Sequence, residues 1–422
     1  MNKERLKEIY LEQNEDFEKK HNLIFRDIGL DKYISTEQVV VISGVRRSGK
    51  SSLLWLIKEK MRLKPESYSY FNFDDERIIT DIFFLEDLYN LHIEIYGKTP
   101  VFFWDEIQNV PGWEKFINRM YEKEMKIFVT GSNASLLSSE ISSSLTGRNR
   151  LLEIYPFSFS EYLRFRKKKY SLERLTSASK ALLMNDLNEY IAMGGFPLVL
   201  KENDLEIVHH YFQDILYRDI IARYRLSQIE EIKQIAVYFC SNVSKLFSYS
   251  TLQAITRIKS RNSISNYLSY FQQAHLFIYL KKFDYSIKKQ MKNSKKVYVI
   301  DLGFAHRIGF NFSGNKGRVL ENVIFIELLR RKQEIFYYKG KNECDFVVRE
   351  GLKISTAIQV TWTLDFMNLK RELNGLMEAV NTFELKSGLI VYMNLDVPLS
   401  EIPKNVELVP AWKFLLQFKK IN

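Results

Sequence analysis

The sequence predicts an α/β protein of several domains, founded on a parallel sheet. Three observations predict it. The apolar, β-branched run Gln38-Val39-Val40-Val41-Ile42-Ser43 leads into Gly44-Val45-Arg46-Arg47-Ser48-Gly49-Lys50-Ser51, and helically spaced residues 52–60 follow. A second apolar strand, Val101-Phe102-Phe103-Trp104, ends on the acidic pair Asp105-Glu106. Residues 317–361 then read helix, hairpin, strand, the outline of a second α/β unit.

Strand, glycine loop and helix in that order form a phosphate-binding loop. The glycines let backbone N–H groups curl around phosphate oxygens, and the helix N-terminus adds partial positive charge. The candidate ATP-binding set is therefore Gly44, Val45, Arg46, Arg47, Ser48, Gly49, Lys50, Ser51 and Ser52. Lys50 is expected to reach the β- and γ-phosphates, and the Ser51 hydroxyl to ligate Mg²⁺.

The next strand, Tyr68-Ser69-Tyr70-Phe71-Asn72-Phe73, ends on Asp74-Asp75, which read as a strand-end turn near the ligand edge. Asp105 is placed to hold Mg²⁺ opposite Ser51, and Glu106 to orient and polarise the attacking water. The adjacent Asp-Glu pair favours ATP hydrolysis, and no guanine-reading Asn-Lys-x-Asp run is present. The strand Lys126-Ile127-Phe128-Val129-Thr130-Gly131 is followed by Ser132-Asn133. Asn133 is the choice for a γ-phosphate sensor, with Ser132 second. In Leu145-Thr146-Gly147-Arg148, Arg148 is the candidate for neutralising transition-state charge on a neighbouring subunit's nucleotide.

Together with Pro156-Phe157-Ser158-Phe159 and Gly194-Gly195-Phe196-Pro197, these motifs resemble a large prokaryotic family of AAA-type ATP-binding proteins. Members carry a C-terminal domain of unknown function that resembles restriction endonucleases. The resemblance covers nearly the whole chain and is most specific in the first half. It implies a P-loop AAA-type parallel sheet, a helical lid and a cytoplasmic ATPase, and it admits a homo-oligomer.

The bulk numbers agree with a multidomain globular protein. There are 422 residues, 46% of them hydrophobic, and only two cysteines, Cys240 and Cys344. A disulfide scaffold is excluded, and a reducing cytoplasm is the natural setting. The charged start Met1-Asn2-Lys3-Glu4-Arg5 lacks the apolar core expected of a signal peptide, and no apolar run is long enough to span a bilayer. The scattered histidines form no zinc spacing with the cysteines. The net charge is +11, of which residues 228–300 carry +9. Positive charge confined to one segment points to an anionic partner, duplex DNA first.

The expected domains are 1–155, the ATPase core; 156–227, the helical lid; 228–310, a basic winged-helix-like module; and 311–422, a restriction-endonuclease-like α/β domain. In the lid, Gly194-Gly195 reads as a structural turn and Arg218-Asp219 as an intrahelical pair. In the basic module, Ser263 is the expected cap of a third helix. Arg261, Asn262, Ser265 and Asn266 are candidate DNA contacts, and a wing carries Lys288, Lys289, Lys292 and Lys295. In the last domain Glu321 and Asp345 match the acids of a Mg²⁺-dependent nuclease frame. The second carboxylate position holds Gln359 and the lysine position Thr361, so the chemistry is expected to be lost unless Glu343 or Lys353 is recruited. The leading reading is an ATPase coupled to DNA engagement. The alternatives are an ATP-regulated DNA nuclease of a defence type and a signalling or scaffold ATPase acting only on proteins.

Overall fold

The computed structural model describes residues 2–19, 23–131, 145, 147–310 and 316–417. It divides into two compact units, Met1–Tyr155 with Gln273–His275, and Pro156–Gln272 with Leu276–Asn422. Ser132 and Asn133, the expected γ-phosphate sensors, and Thr146 lie outside the described residues.

In the first unit β1 (Val39–Ser43), β2 (Tyr68–Asn72), β3 (Val101–Asp105), β4 (Ile127–Gly131) and β5 (Asn149–Glu153) make one sheet, ordered β2-β3-β4-β1-β5. Every pairing is parallel. Parallel neighbours need crossover connections, so helices cover both faces and the central strands are apolar throughout. β1 accordingly is buried at all its positions. Val39, Val41, Phe102 and Trp104 pack on one face with Leu6, Ile9 and Tyr10 of helix α1 (Lys3–Glu18). Val40, Ile42, Phe103 and Phe128 pack on the other with Leu53, Leu54 and Ile57 of α2 (Lys50–Met61). Each such side chain contributes about 1.5–3 kcal/mol on burial.

β2 is an edge strand, and α1 satisfies its free backbone. Asn14 Nδ2 donates to Tyr70 O at 3.1 Å while Tyr70 N donates to Asn14 Oδ1 at 3.2 Å. Asn72 N donates to Gln13 Oε1 at 2.8 Å. Two side-chain amides thus stand in for a missing strand and close an edge that would otherwise template pairing. Because the strands are parallel and in register (Ser43 beside Gly131, Asn72 beside Asp105), their C-terminal ends share one edge. That edge is where α/β sheets bind ligands.

The second unit opens with helices α3 (Phe159–Phe165), α4 (Ser177–Met193), α5 (Pro197–Glu202) and α6 (Glu206–Asp214), the last running on in π-helical turns over Ile215–Ala222. Ser158 and Glu161 form a reciprocal capping box at the start of α3. Then α7 (Ile229–Ser241), α8 (Tyr249–Thr256) and α9 (Arg261–Gln273) accompany a small antiparallel sheet. Its strands β6 (Leu246–Phe247), β7 (Phe277–Lys281) and β8 (Lys295–Val299) are ordered β6-β8-β7. Two details depart from expectation. Ser263 lies inside α9, because Ser260 Oγ, three residues earlier, accepts its N–H at 3.2 Å and makes the cap. The lysine-rich connection between β7 and β8 is not a plain loop: Ser286 caps a short helix, α10 (Ile287–Lys292).

The chain then forms α11 (Leu302–Ile308), α12 (Lys316–Arg330), the hairpin β9 (Glu334–Lys339) and β10 (Glu343–Glu350), β11 (Lys353–Leu364) and α13 (Leu369–Thr382). β12 (Gly388–Leu395) and β13 (Val406–Pro410) complete a mixed sheet ordered β13-β12-β11-β10-β9. β9, β10 and β11 are antiparallel; β11, β12 and β13 are parallel. No helix among the described residues is long and apolar enough to cross a membrane.

Candidate functional site

The loop between β1 and α2 holds a shape that its glycines permit. A Cβ on Gly44 would lie 2.2 Å from Ile154 O, so the loop passes the neighbouring backbone with no room for a side chain. Gly49 sits at φ +97° and Arg47 at φ +68°, both left-handed. Alternation of this kind turns successive N–H groups inward as an anion cradle. Ser48 Oγ is buried with no hydrogen-bond partner among the described residues. A buried hydroxyl of that kind costs free energy unless a ligand satisfies it, so the cradle fits a phosphate.

Lys50 is buried, and its Nζ donates to Gly44 O at 3.2 Å and Val45 O at 3.4 Å, with Glu106 Oε1 at 3.6 Å. The expected acids stand at the same edge. Asp105 accepts hydrogen bonds from Ser51 and Thr130. Burial raises its carboxyl above the usual range and the neighbouring Glu106 adds to this, while the two hydroxyls and Lys50 oppose it. Glu106 takes a left-handed backbone at φ +55°, which swings it out of the strand direction. Its N–H donates to Thr130 Oγ1 at 3.0 Å, and its Oε2 accepts from Gln108 Nε2 at 2.6 Å. Thr130 thus bridges the two acids, a role its strand-end position alone did not announce.

Other residues complete the setting. Arg26 Nη1 donates to Ser48 O at 3.1 Å and Nη2 to Tyr155 O at 2.6 Å, bracing the loop from outside the motif. Arg46 reaches Asp74 at 3.8 Å. His275, which belongs to the first unit, places Nε2 2.8 Å from Ser43 Oγ at the end of β1. Burial, with Lys50 beside it, pulls its imidazole down to about 4, so the ring is neutral. A lone histidine far along the sequence carries no signal that it would sit here. Arg148 lies at the start of β5, its O accepting from Val39 N at 2.9 Å, which is the opposite end of β1 from the loop. It pairs with Asn118 and, at 3.1 Å, Glu122.

In the second unit Asp345 and Gln359 occupy adjacent strands, with Asp345 N donating to Gln359 Oε1 at 3.3 Å. Glu321 on α12 joins them around a pocket of about 430 Å³ that Thr361 also lines. Lys353 pairs with Glu350 at the far end of the β10–β11 hairpin, about 20 Å of strand from Gln359. Cys240 and Cys344 are both free and buried.

Residues 36–163 match a family model described as an AAA domain, and residues 184–315 one described as a domain of unknown function (DUF8612). The chain is 35% identical to the uncharacterized protein MJ1544 of Methanocaldococcus jannaschii, over 99% of this chain and 97% of that protein. It is 32% identical to an uncharacterized protein of Haemophilus influenzae, over 77% and 83%. Among solved structures, the Walker-type ATPase Paby2304 of Pyrococcus abyssi aligns over 68% of this chain and 98% of its own, at 14% identity and a TM-score of 0.42. The Holliday junction branch migration motor RuvB of Thermotoga maritima aligns over 62% and 93%, at 14% identity and a TM-score of 0.32. With its glycine loop, acidic pair and five-stranded parallel sheet, and with MJ1544 as a full-length relative, the chain belongs to the prokaryotic AAA-type family of P-loop ATPases.

Proposed function

We propose that this protein hydrolyses ATP at residues 44–52 and couples turnover to engagement of duplex DNA by its second unit. The observation that supports the ATPase reading best is the gathering, at one sheet edge, of Lys50, Ser51, Asp105, Glu106 and the unsatisfied Ser48 hydroxyl. In this reading the loop N–H groups and Lys50 hold the phosphates, and Glu106 orients water, its carboxylate kept in place by Gln108. When bound, Mg²⁺ would neutralise phosphate charge, and Ser51 with Asp105 would hold it. Asn133 is the proposed sensor. Arg148, at the opposite end of β1 from its own loop, is proposed to act on a neighbouring subunit.

The DNA reading rests on α9 and the β7–β8 connection, taken as a winged-helix arrangement. A pocket of about 200 Å³ is lined by Arg261, Lys292 and Lys295 with the hydroxyls of Ser248 and Ser250, and no carboxylate among the described residues lines it. Arg261 is held over the Tyr249 ring, 4.6 Å from its centroid. Three cations without an acid among them suit a backbone phosphate beside the start of α9. The experiment is ATP turnover with and without duplex DNA, beside Glu106→Gln. Stimulation by DNA that vanishes in the variant supports the coupling. Turnover indifferent to DNA, from a chain that does not retain duplex, overturns it and favours the protein-directed scaffold.

A further inference from the structure

Lys296 on β8 puts its charge into a place that the sequence reserved for other residues. Its side chain is 3% exposed. The Nζ lies 2.9 Å from Glu343 Oε1, 3.0 Å from Glu321 Oε1 and 3.1 Å from Asp345 Oδ1. An ammonium has three N–H donors, and three carboxylates are at hand to take them. The surrounding groups are committed too. Tyr298, two residues along the same strand and so on the same face, donates to Glu321 Oε1 at 2.7 Å. Val360 N donates to Asp345 Oδ2 at 3.0 Å. Gln359 Nε2 donates to Glu372 Oε2 at 2.7 Å, and Arg371 pairs with Glu372.

Acids meeting at a sheet edge commonly gather a divalent ion, with oxygens about 2.0–2.6 Å from it. Here the three oxygens stand 2.9–3.1 Å from one point, which is the spacing of charge-assisted N–H···O bonds. With the ammonium in place the dimensions are those of N–H···O bonds, and the carboxylate side chains would have to close in by roughly 0.5–1 Å to hold a divalent ion, which the ammonium prevents. We propose that Lys296 is the resident cation of this pocket: it fills the position in which the carboxylates would otherwise collect a divalent metal, so the native site takes no Mg²⁺ or Mn²⁺, and removing the ammonium opens one.

The electrostatics run the same way. The acids hold Lys296 charged, well above its ordinary range despite burial. Glu321 is pushed up to about 8 by burial and by Asp345, with Lys296 opposing. Without the ammonium, the buried carboxylates of Glu321 and Asp345 and the half-buried one of Glu343 would face one another, and repulsion would demand protons or another cation. The inference is independent of the ATPase reading. It explains how the acids persist without a lysine at Thr361, and it assigns the pocket a metal-free role.

The test is Mn²⁺ titration of the full chain, nucleotide-free, at alkaline pH, followed by the electron paramagnetic resonance of free Mn²⁺. Wild type, Asp345→Asn, Lys296→Ala and Lys296→Ala/Asp345→Asn are compared. The Ser51 and Asp105 side chains are common to all four, so differences report the pocket. Wild type and Asp345→Asn are expected to bind alike. Lys296→Ala is expected to gain about one Mn²⁺ per chain, lost again in the double variant. An Asp345-dependent Mn²⁺ site in wild type overturns the proposal, as does a folded Lys296→Ala chain that gains none. Should Lys296→Ala fail to fold, Lys296→Met keeps the aliphatic stem, and the wild-type comparison stands by itself.

Discussion

The backbone N–H of Gly195 donates to Asp301 Oδ2 at 2.7 Å, although the two residues are 106 positions apart. The other carboxylate oxygen, Oδ1, accepts from Gly303 N at 2.9 Å. This buried carboxylate joins the turn after α4 to the start of α11, and it gives the Gly194-Gly195 pair its reason. Gly194 stands at φ +77° and ψ −165°, and a Cβ there would fall 1.9 Å from Asp301 Oδ1. Gly194→Ala should destabilise the second unit by at least about 1–3 kcal/mol from backbone strain, before the overlap is counted. Denaturant unfolding of the variant checks it, and an unchanged midpoint would contradict the packing described.

Asp301 also predicts a pH dependence. Burial raises its carboxyl to about 6, against 3.8 in an unfolded chain, with the two glycine N–H groups and Arg330 opposing. The folded state therefore holds the proton more tightly than the unfolded state. The associated stability is full below pH 3.8 and is lost as pH rises through 6. Asp301→Asn should remove this component, flattening the difference in unfolding midpoint between about pH 4 and 7 relative to wild type. It should also cost about 1–3 kcal/mol, because an amide NH₂ would face one of the glycine donors and leave it unsatisfied. Parallel titrations of the two proteins' midpoints would show both effects.

The nucleotide edge is legible in the sequence because its parts are local. A β-branched strand, a loop that needs glycine at Gly44 and Gly49, and an acidic strand end each declare themselves within a few residues. Parallel pairing then brings Ser43 and Asp105 to the same edge without further information. Arg26, His275 and Thr130 are not legible as partners of that edge, since single polar residues reach it by tertiary packing. Lys296 is the sharper case. It sits in a lysine-rich run with Lys292 and Lys295 and shares their composition. Only the alternation of β8 turns it inward with Tyr298. Ser263 as a cap fails for a smaller reason: Ser260 offers the same hydroxyl at a better spacing.

At the nucleotide edge, Lys50→Ala should abolish tight ATP binding, because it removes the buried ammonium that the carbonyls of Gly44 and Val45 hold inside the loop. Glu106→Gln should keep ATP binding and lower kcat roughly 10²–10⁴-fold, the usual contribution of a positioned base. The amide preserves size and, through its oxygen, the hydrogen bond from Gln108, but it loses the charge facing Lys50 and cannot polarise water. Equilibrium binding of a fluorescent ATP analogue beside steady-state turnover separates the two, and a Glu106→Gln chain with normal turnover would remove Glu106 from the base role.

The cation pocket of the second unit predicts a salt dependence rather than a simple loss. Arg261, Lys292 and Lys295 line it, and each phosphate they would neutralise in the proposed complex would release counterions from the duplex. The logarithm of the DNA-binding constant should therefore fall with the logarithm of salt concentration, with a slope of about −0.9 for each phosphate contacted. Arg261→Ala with Lys292→Ala should make that slope shallower by about 1–2 and weaken binding evenly across unrelated duplex sequences. Base reading by Asn262, Ser265 or Asn266 would appear differently: replacing the reader would weaken binding to particular sequences and leave the slope intact. A double variant that binds duplex with wild-type affinity and slope would place the DNA contact elsewhere on the second unit. A wild-type chain with no salt-dependent retention would remove DNA as the partner altogether.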